Sequence, residues 1–157
     1  MELVRVKPED KELLWNINQK YLYEMTNYYN DEMDSSGNLQ YGYFDDYFSD
    51  PERQAFFFFD EQRLVGFAMI HPYSSISGKP DHVLAEFTVF PVYRRKHLAT
   101  AAAGSLFDRF RGSWEVKYNE KNIAAKGFWN KITAIYHPNM IRLNEEETVL
   151  VFDTAIL

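Results

Sequence analysis

The sequence predicts an α/β protein in which a mixed, partly parallel sheet is flanked by helices. Three observations lead to this fold class: period-two alternation marks strands, apolar spacings of three and four mark helices, and the two alternate along the second half of the chain. A length of 157 residues predicts a single domain over residues 1–157. With 46% apolar and 25% charged residues, the composition is that of an ordinary globular domain and argues against disorder.

The first half is expected to contain a strand, a long helix and a hairpin. Residues 2–6 alternate as a short strand, and the apolar spacing from Leu14 to Tyr28 predicts an amphipathic helix. The stretch 38–50 is aromatic and acidic, which indicates a short helix or an ordered loop. Residues 54–59 and 64–70 are strand-like and closely connected, so we expect an antiparallel hairpin there.

The second half is expected to alternate strand and helix. The pattern predicts a strand over 82–90, a helix over 94–110, a strand over 114–118, a helix from 122 to about 136 and a strand over 148–152. Because strands joined through a helix usually run side by side in the same direction, we expect parallel pairing in this half of the sheet.

Composition excludes several classes of function. The chain has no cysteine, which removes disulfides, thiolate nucleophiles and cysteine metal sites, and its four histidines show no metal-ligand spacing. A net charge of −6 argues against a nucleic-acid partner. No apolar run approaches a membrane span and the first residues do not resemble a signal peptide, so we expect a cytoplasmic protein without a membrane partner.

Positive charge is concentrated in one part of this acidic chain. Residues 91–121 hold seven bases and three acids, a distribution that favours a compact anionic ligand, although uneven surface charge would look the same. Arg94, Arg95 and Lys96 open the predicted helix, whose first turns are small residues. Free N–H groups at a helix start bind phosphate, so this turn is a candidate phosphate site; alternatively its bases only solvate the helix end.

Two segments resemble the GNAT N-acetyltransferase superfamily. Residues 89–99 are similar to its acetyl-CoA motif, in which Arg or Gln is followed by two residues, Gly, one residue, and Gly or Ala. Arg94 and Ala99 match that pattern, whereas His97 stands where the family usually has Gly. Residues 114–129 resemble the family's strand and the Asn-x-x-Ala-x-x-aromatic helix that begins at Asn122. The predicted order of elements agrees with a GNAT-like central mixed sheet.

The resemblance implies an acetyl-CoA-dependent acyltransferase that passes acetyl directly to a primary amine of a small molecule or peptide. It places the main chain of Val89 on the pantetheine arm and the following turn on the pyrophosphate, with Asn122 near cofactor or substrate. The side chain of His97 would crowd the phosphates, donate a hydrogen bond to them, or point to solvent. The turn assigned to the cofactor consists of Arg94, Arg95, Lys96, His97, Leu98, Ala99 and Thr100.

The residues that would handle protons are harder to identify. Glu86, on the predicted central strand, is expected to accept the amine proton or contact the substrate, or else to be paired with a base. Many family members have Tyr at the position of Trp129, where it protonates the leaving thiolate, and an indole has no suitable proton. Tyr136, Tyr118 or solvent would take its place, and we name Tyr136 as the candidate acid.

Several alternatives stay open. The acidic segment 31–50 forms a wall that favours a cationic amine, or it is a solvated loop with aromatic anchors. The alternative to an enzyme is a GNAT-fold interaction or regulatory module, and a remoter one is a phosphate-ligand-binding protein of unrelated fold. The acceptor amine and the oligomeric state are open, with a homodimer among the expected forms. The candidate wall residues are Tyr41, Tyr43, Phe44, Asp45 and Asp46.

Overall fold

The computed structural model describes all of residues 1–157, as seven strands, three α-helices and several short 3₁₀ turns. No helix combines the length and the apolar character needed to cross a membrane. In chain order the elements are β1 (Glu2–Arg5), α1 (Lys11–Met25), β2 (Gln54–Asp60), β3 (Arg63–His71), β4 (His82–Val89), α2 (Leu98–Arg109), β5 (Ser113–Asn119), α3 (Ile123–Thr133), β6 (Asn139–Arg142) and β7 (Glu147–Asp153).

The strands form one mixed sheet in the order β1-β2-β3-β4-β5-β7-β6. Only β4 and β5 pair in parallel, and the predicted antiparallel hairpin is confirmed as β2–β3. The parallel pairing expected for the last strand is wrong, because β7 runs antiparallel to β5. The cause is β6, which no pattern in the sequence predicted: the chain leaves α3 for the sheet edge, and a hairpin then brings β7 back between β6 and β5.

Helices cover both faces of the sheet. On one face α1 and the segment 38–50 bury Leu14, Phe57 and Phe67. On the other face α2 and α3 pack over a larger core that includes Leu106 and Trp114. The run of four phenylalanines in β2 supplies both layers, since alternate side chains of a strand point to opposite faces. Each fully buried ring contributes roughly 1.5–3 kcal/mol to the hydrophobic term.

β4 and β5 diverge along their length, and this opens the sheet in its centre. Their pairing covers only His82–Leu84 against Trp114–Val116, so the rest of β4 has no neighbour on that side. β3 approaches the end of β4 unusually closely at Gly66, where a Cβ would lie 2.1 Å from the Thr88 carbonyl oxygen. The open gap between β4 and β5 positions the candidate site.

A β-bulge in β4 decides which way its side chains point. Leu84 lies opposite Ile70, but Glu86 lies opposite Met69, so one extra residue is inserted between them. Leu84 packs into the core under α2 and α3, whereas Met69 belongs to the core under α1. Cross-strand partners share a face, so the bulge turns Glu86 toward the α1 side of the sheet.

Candidate active site

A cleft of about 440 Å³ lies in the gap between the diverging strands. Its walls are the end of α1, the second half of β4, the end of β5 and the start of α3. The Phe90 N–H donates to the Val65 carbonyl at 2.8 Å, so the main-chain groups of the preceding Val89 point away from β3 and toward the gap. This orientation suits the role expected for Val89 on a pantetheine arm, and that role stays a prediction.

The basic turn reaches the cleft through Arg94, the one residue of the turn that lines it, and α2 begins only after the turn. The helix begins at Leu98 rather than at 94, because Arg95 and His97 take left-handed φ values of +64° and +60°. Glycine adopts such a φ with little steric cost, which is the physical reason a glycine suits position 97. The side chains of Arg95, Lys96, His97 and Thr100 are exposed, whereas those of Leu98 and Ala99 pack against the core.

The Arg94 side chain lies along the wall of the cleft, where it contacts the end of β4 and the end of α1. Its Nε donates to the Val89 carbonyl at 2.7 Å, and its two terminal nitrogens donate to the Glu24 carboxylate of α1 at 2.6 and 2.7 Å. The hydrogen bonds to Glu24 raise the pKa of Arg94 above its usual range. The guanidinium is thus held by protein groups on both sides, and the phosphate contact expected for Arg94 stays a prediction.

Glu86 is the carboxylate that faces the cleft from the sheet. Burial raises its pKa to about 8, and the positive charge of nearby Lys117 lowers it only in part. No ion pair or hydrogen bond holds its side chain, so of the two alternatives for Glu86 the geometry favours an acceptor site over pairing with a base. A half-buried carboxyl with a pKa near neutrality and an open side is suited to take a proton from a bound amine.

Tyrosines and a second carboxylate surround Glu86 on the α1 side. Burial raises the pKa of Tyr21 well above its usual range, and the charge of Glu86 raises it further. The Tyr29 hydroxyl donates to Glu147 at 2.8 Å, and Lys117 pairs with the same carboxylate at 3.4 Å. None of these four neighbours was predicted as a site residue. Tyr21 fits the apolar stripe of α1, whereas Tyr29 follows the end of that helix. Lys117 and Glu147 meet only because β5 and β7 are paired.

The two candidate tyrosine acids lie in different places. Tyr136 is outside the cleft: its ring stacks on Phe152 at 5.7 Å and packs edge-on against Phe107. This packing does not support the acid role expected of Tyr136, which stays a prediction. Tyr118 lines the cleft, and its hydroxyl accepts a hydrogen bond from the Asn130 amide at 3.1 Å. Its own proton is therefore free to be donated elsewhere.

The aromatic wall opposite Glu86 comes from α3. Trp129 is buried and lines the cleft, where it packs edge-on against Phe87 at 5.0 Å. Asn122 is the N-cap of α3, with its side-chain oxygen accepting from the Ala125 N–H at 3.1 Å. The Asn-x-x-Ala spacing therefore has a local structural cause, and the cofactor contact expected of Asn122 stays a prediction.

The acidic segment 31–50 contributes aromatic rings to the core under α1, and most of its carboxylates lie away from the cleft. Phe44 is buried and Tyr41 packs against the core under α1, where burial and the charge of Glu86 raise the pKa of Tyr41. Asp45 is exposed and pairs with Lys11 at 2.9 Å. Of the carboxylates in this segment only Asp31 lines the cleft, so Asp45 and Asp46 do not form the expected wall. Tyr43 does not line the cleft either, and its ring packs on the Arg53 guanidinium.

The chain is similar in sequence and in fold to known acetyltransferases. The chain matches the family model described as Acetyltransferase (GNAT) family over residues 14–133. No curated protein sequence matches it significantly. An acetyltransferase from Thermus thermophilus is 16% identical and has a TM-score of 0.69, covering 97% of this chain and 96% of that one.

Two further solved structures carry more specific names. The spermidine N-acetyltransferase from Vibrio cholerae, in complex with CoA and spermine, is 13% identical with a TM-score of 0.69, and the match covers 98% of this chain and 95% of that one. The ribosomal-protein-S18-alanine N-acetyltransferase from Escherichia coli is 12% identical with a TM-score of 0.62, covering 99% and 95%. At these identities the likeness shows a shared fold alone. The family model spans most of the residues that build the sheet and the cleft, and the chain therefore belongs to the GNAT acetyltransferase family.

Proposed function

We propose that this chain is an N-acetyltransferase that transfers acetyl from acetyl-CoA directly to a primary amine of a small molecule or peptide. The observation that carries the proposal is Glu86, a carboxyl without a partner that faces the gap between β4 and β5 and has a pKa of about 8. Acetyl-CoA as cosubstrate is consistent with the family and with the CoA bound in the Vibrio cholerae neighbour.

The residues at the cleft mouth fit such a cosubstrate. The Val89 N–H faces a gap that no strand fills, which suits a carbonyl of a pantetheine arm, whereas the Val89 carbonyl accepts from Arg94 at 2.7 Å. The first N–H groups of α2 and the exposed side chains of Arg95 and Lys96 suit a pyrophosphate. Leu98 and Ala99 can contribute their main chain to this site, because their side chains are used in packing.

Acetyl-CoA supplies an activated acetyl thioester, whose C–S bond breaks as the new N–C bond forms. The Glu86 carboxylate accepts the proton that the amine must lose. Burial raises the pKa of Glu86 to about 8, which makes the carboxylate a stronger base than an ordinary glutamate. The Tyr118 hydroxyl, held by Asn130, can return a proton to the thiolate. Trp129 cannot do this, and it forms instead an apolar wall beside the reacting groups.

The acceptor amine would enter from the α1 side, where Glu86 points. Tyrosine rings and the carboxylates of Glu86 and Asp31 line this part of the cleft, a surface that suits a cation. Solved neighbours named for spermidine and for a ribosomal-protein alanine support both a small-molecule and a peptide amine. The second candidate is a GNAT-fold interaction module, which the histidine at 97 and the tryptophan at 129 favour.

The test combines binding and turnover. Calorimetry with acetyl-CoA measures whether the cleft binds the cosubstrate, and free-thiol release measures transfer to a panel of diamines, monoamines and peptides. We expect saturable binding and amine-dependent thiol release. Binding without release from any amine would favour the interaction module, and the absence of both would remove the acetyltransferase proposal.

A further inference from the structure

The turn between β4 and α2 has a backbone that its own residues do not stabilise. Arg95 and His97 both have φ near +60°, a conformation that L-residues with a Cβ avoid. Such residues keep this conformation only where surrounding contacts hold them in place. The exposed side chains of Arg95, Lys96 and His97 make no hydrogen bond, and His97 provides no side-chain cap for α2. The contact that fixes the turn must therefore come from a neighbouring residue.

Arg94 provides that contact, immediately before the turn. Its guanidinium donates to the Val89 carbonyl and to the Thr88 hydroxyl at the end of β4, at 2.7 and 3.2 Å. It also donates both terminal nitrogens to Glu24 of α1, 70 residues away in sequence. This bidentate arrangement is the most directional geometry available to an ion pair. One side chain thus links α1 to the end of β4 across the mouth of the cleft.

We propose that Glu24 is a positioning residue for acetyl-CoA: through Arg94 it holds the turn in the conformation that directs the first N–H groups of α2 at the pyrophosphate. The Glu24–Arg94 pair thereby compensates for the histidine that stands at position 97 in place of glycine. Arg94 remains on Glu24 when the cosubstrate binds, and Arg95 and Lys96 provide the charged contacts. The proposal rests on acetyl-CoA being the cosubstrate.

A double-mutant cycle separates this role from a direct phosphate contact by Arg94. Calorimetry with acetyl-CoA is carried out on wild type, Glu24→Gln, Arg94→Ala and the double variant. We expect each single change to weaken binding on the order of tenfold, and the double change to weaken it no further, because both remove the same link. Asp108→Asn is the matched control, since it neutralises the partner of Arg111 in an exposed pair at the end of α2 and should leave binding unchanged.

The opposite pattern would overturn the proposal. If Arg94→Ala weakens binding while Glu24→Gln leaves it unchanged or tightens it, Arg94 is a phosphate ligand for which Glu24 competes. Additive losses in the double variant would likewise show that the two side chains act separately.

A measurement without ligand tests the same idea independently of the proposed function. Amide hydrogen exchange over residues 95–99 should be faster in Glu24→Gln than in wild type, because the turn has lost its anchor. Adding His97→Gly should return the exchange toward the wild-type rate and recover most of the acetyl-CoA affinity, since glycine accepts the left-handed φ. Unchanged exchange in Glu24→Gln would refute the anchoring role. If Glu24→Gln exchanges faster than wild type but wild type binds no acetyl-CoA, the anchoring role stands and the proposed function is refuted.

Discussion

A single inserted residue determines what the central carboxylate can do. In a regular strand Glu86 would share the face of Leu84 and enter the core under α2 and α3. The bulge in β4 turns it toward α1, into a space lined by tyrosines. Burial there raises the pKa of Glu86 to about 8, because a charged carboxylate loses hydration that its surroundings do not fully replace. The amino-acid sequence identified Glu86 as a candidate base, but the bulge that aims it has no local signal.

Replacing Glu86 should reduce turnover and increase stability at high pH. Glu86→Gln should lower kcat/KM by about 10² or more, and wild-type kcat/KM should rise with pH and level off above about 8, where the carboxylate is ionised.

The same carboxyl should make the stability of the protein depend on pH. The folded-state pKa of Glu86 lies above the ordinary value of 4.5, so the folded protein holds the proton more tightly than the unfolded chain does. The free energy of unfolding therefore falls as the pH rises from about 4.5 to about 8.

Thermal unfolding across pH measures the second part of this prediction. Glu86→Gln should match wild type below about pH 4.5 and unfold at a higher temperature above pH 8. A variant that is less stable than wild type at pH 9 would contradict the placement of an uncompensated carboxylate in the cleft.

The two tyrosines should differ in their effect on transfer. Tyr118→Phe removes a hydroxyl that lines the cleft, and we expect it to lower kcat by about tenfold or more while changing the acetyl-CoA KM little. Tyr136→Phe leaves the ring that packs on Phe152 and should retain near-wild-type turnover. Steady-state kinetics of the two variants measure the difference, and a larger loss in Tyr136→Phe would identify Tyr136 as the acid instead of Tyr118.

The elements show why the fold class was easier to predict than the pairing of its strands. Apolar strand patterns marked β2, β3 and β4, and helical spacing marked α2 and α3, because all of these elements bury apolar side chains. β6 has four residues that are all exposed, so it carries no pattern to recognise. Without it the final strand was expected to follow α3 directly, and its direction was predicted wrongly. The tight approach of β3 to β4 likewise depends on Gly66, whose neighbours are known only from the fold.

Two glycine-to-alanine changes should have opposite effects. A Cβ at position 66 would lie 2.1 Å from a backbone oxygen of β4, so Gly66→Ala must displace the end of that strand and should destabilise the protein by about 2–4 kcal/mol. Gly104 lies in α2 with no atom near its added Cβ, and Gly104→Ala should stabilise by roughly 0.5–1 kcal/mol. Denaturant unfolding measures both. Equal stability of the two variants would contradict the close approach of β3 to β4.

At the scale of the whole molecule, the cleft depends on segments that are distant in the chain. α1 and the turn after it provide Tyr21, Glu24 and Tyr29. The centre of the sheet provides Glu86, and β7 provides Glu147. A motif in one segment can predict the cofactor turn, because that turn is local. The acceptor side cannot be predicted in this way, since its members meet only after β4 and β5 have separated and α1 has packed beside them. The sequence therefore indicated the cosubstrate more fully than the acceptor.

Acetyl-CoA should stabilise the whole fold, because it binds the folded chain and not the unfolded one. At about 100 times its dissociation constant it should add roughly 2.7 kcal/mol, a rise in melting temperature of about 5–10 °C for a chain of this size. The rise should shrink as salt is added, since the exposed Arg95 and Lys96 contacts are screened. A short acetyl thioester without phosphates, at the same concentration, is the matched control and should give little shift. An equal rise in melting temperature from both ligands would place the binding energy in the gap between β4 and β5 instead of at the basic turn. No rise at millimolar acetyl-CoA would argue against cosubstrate binding altogether.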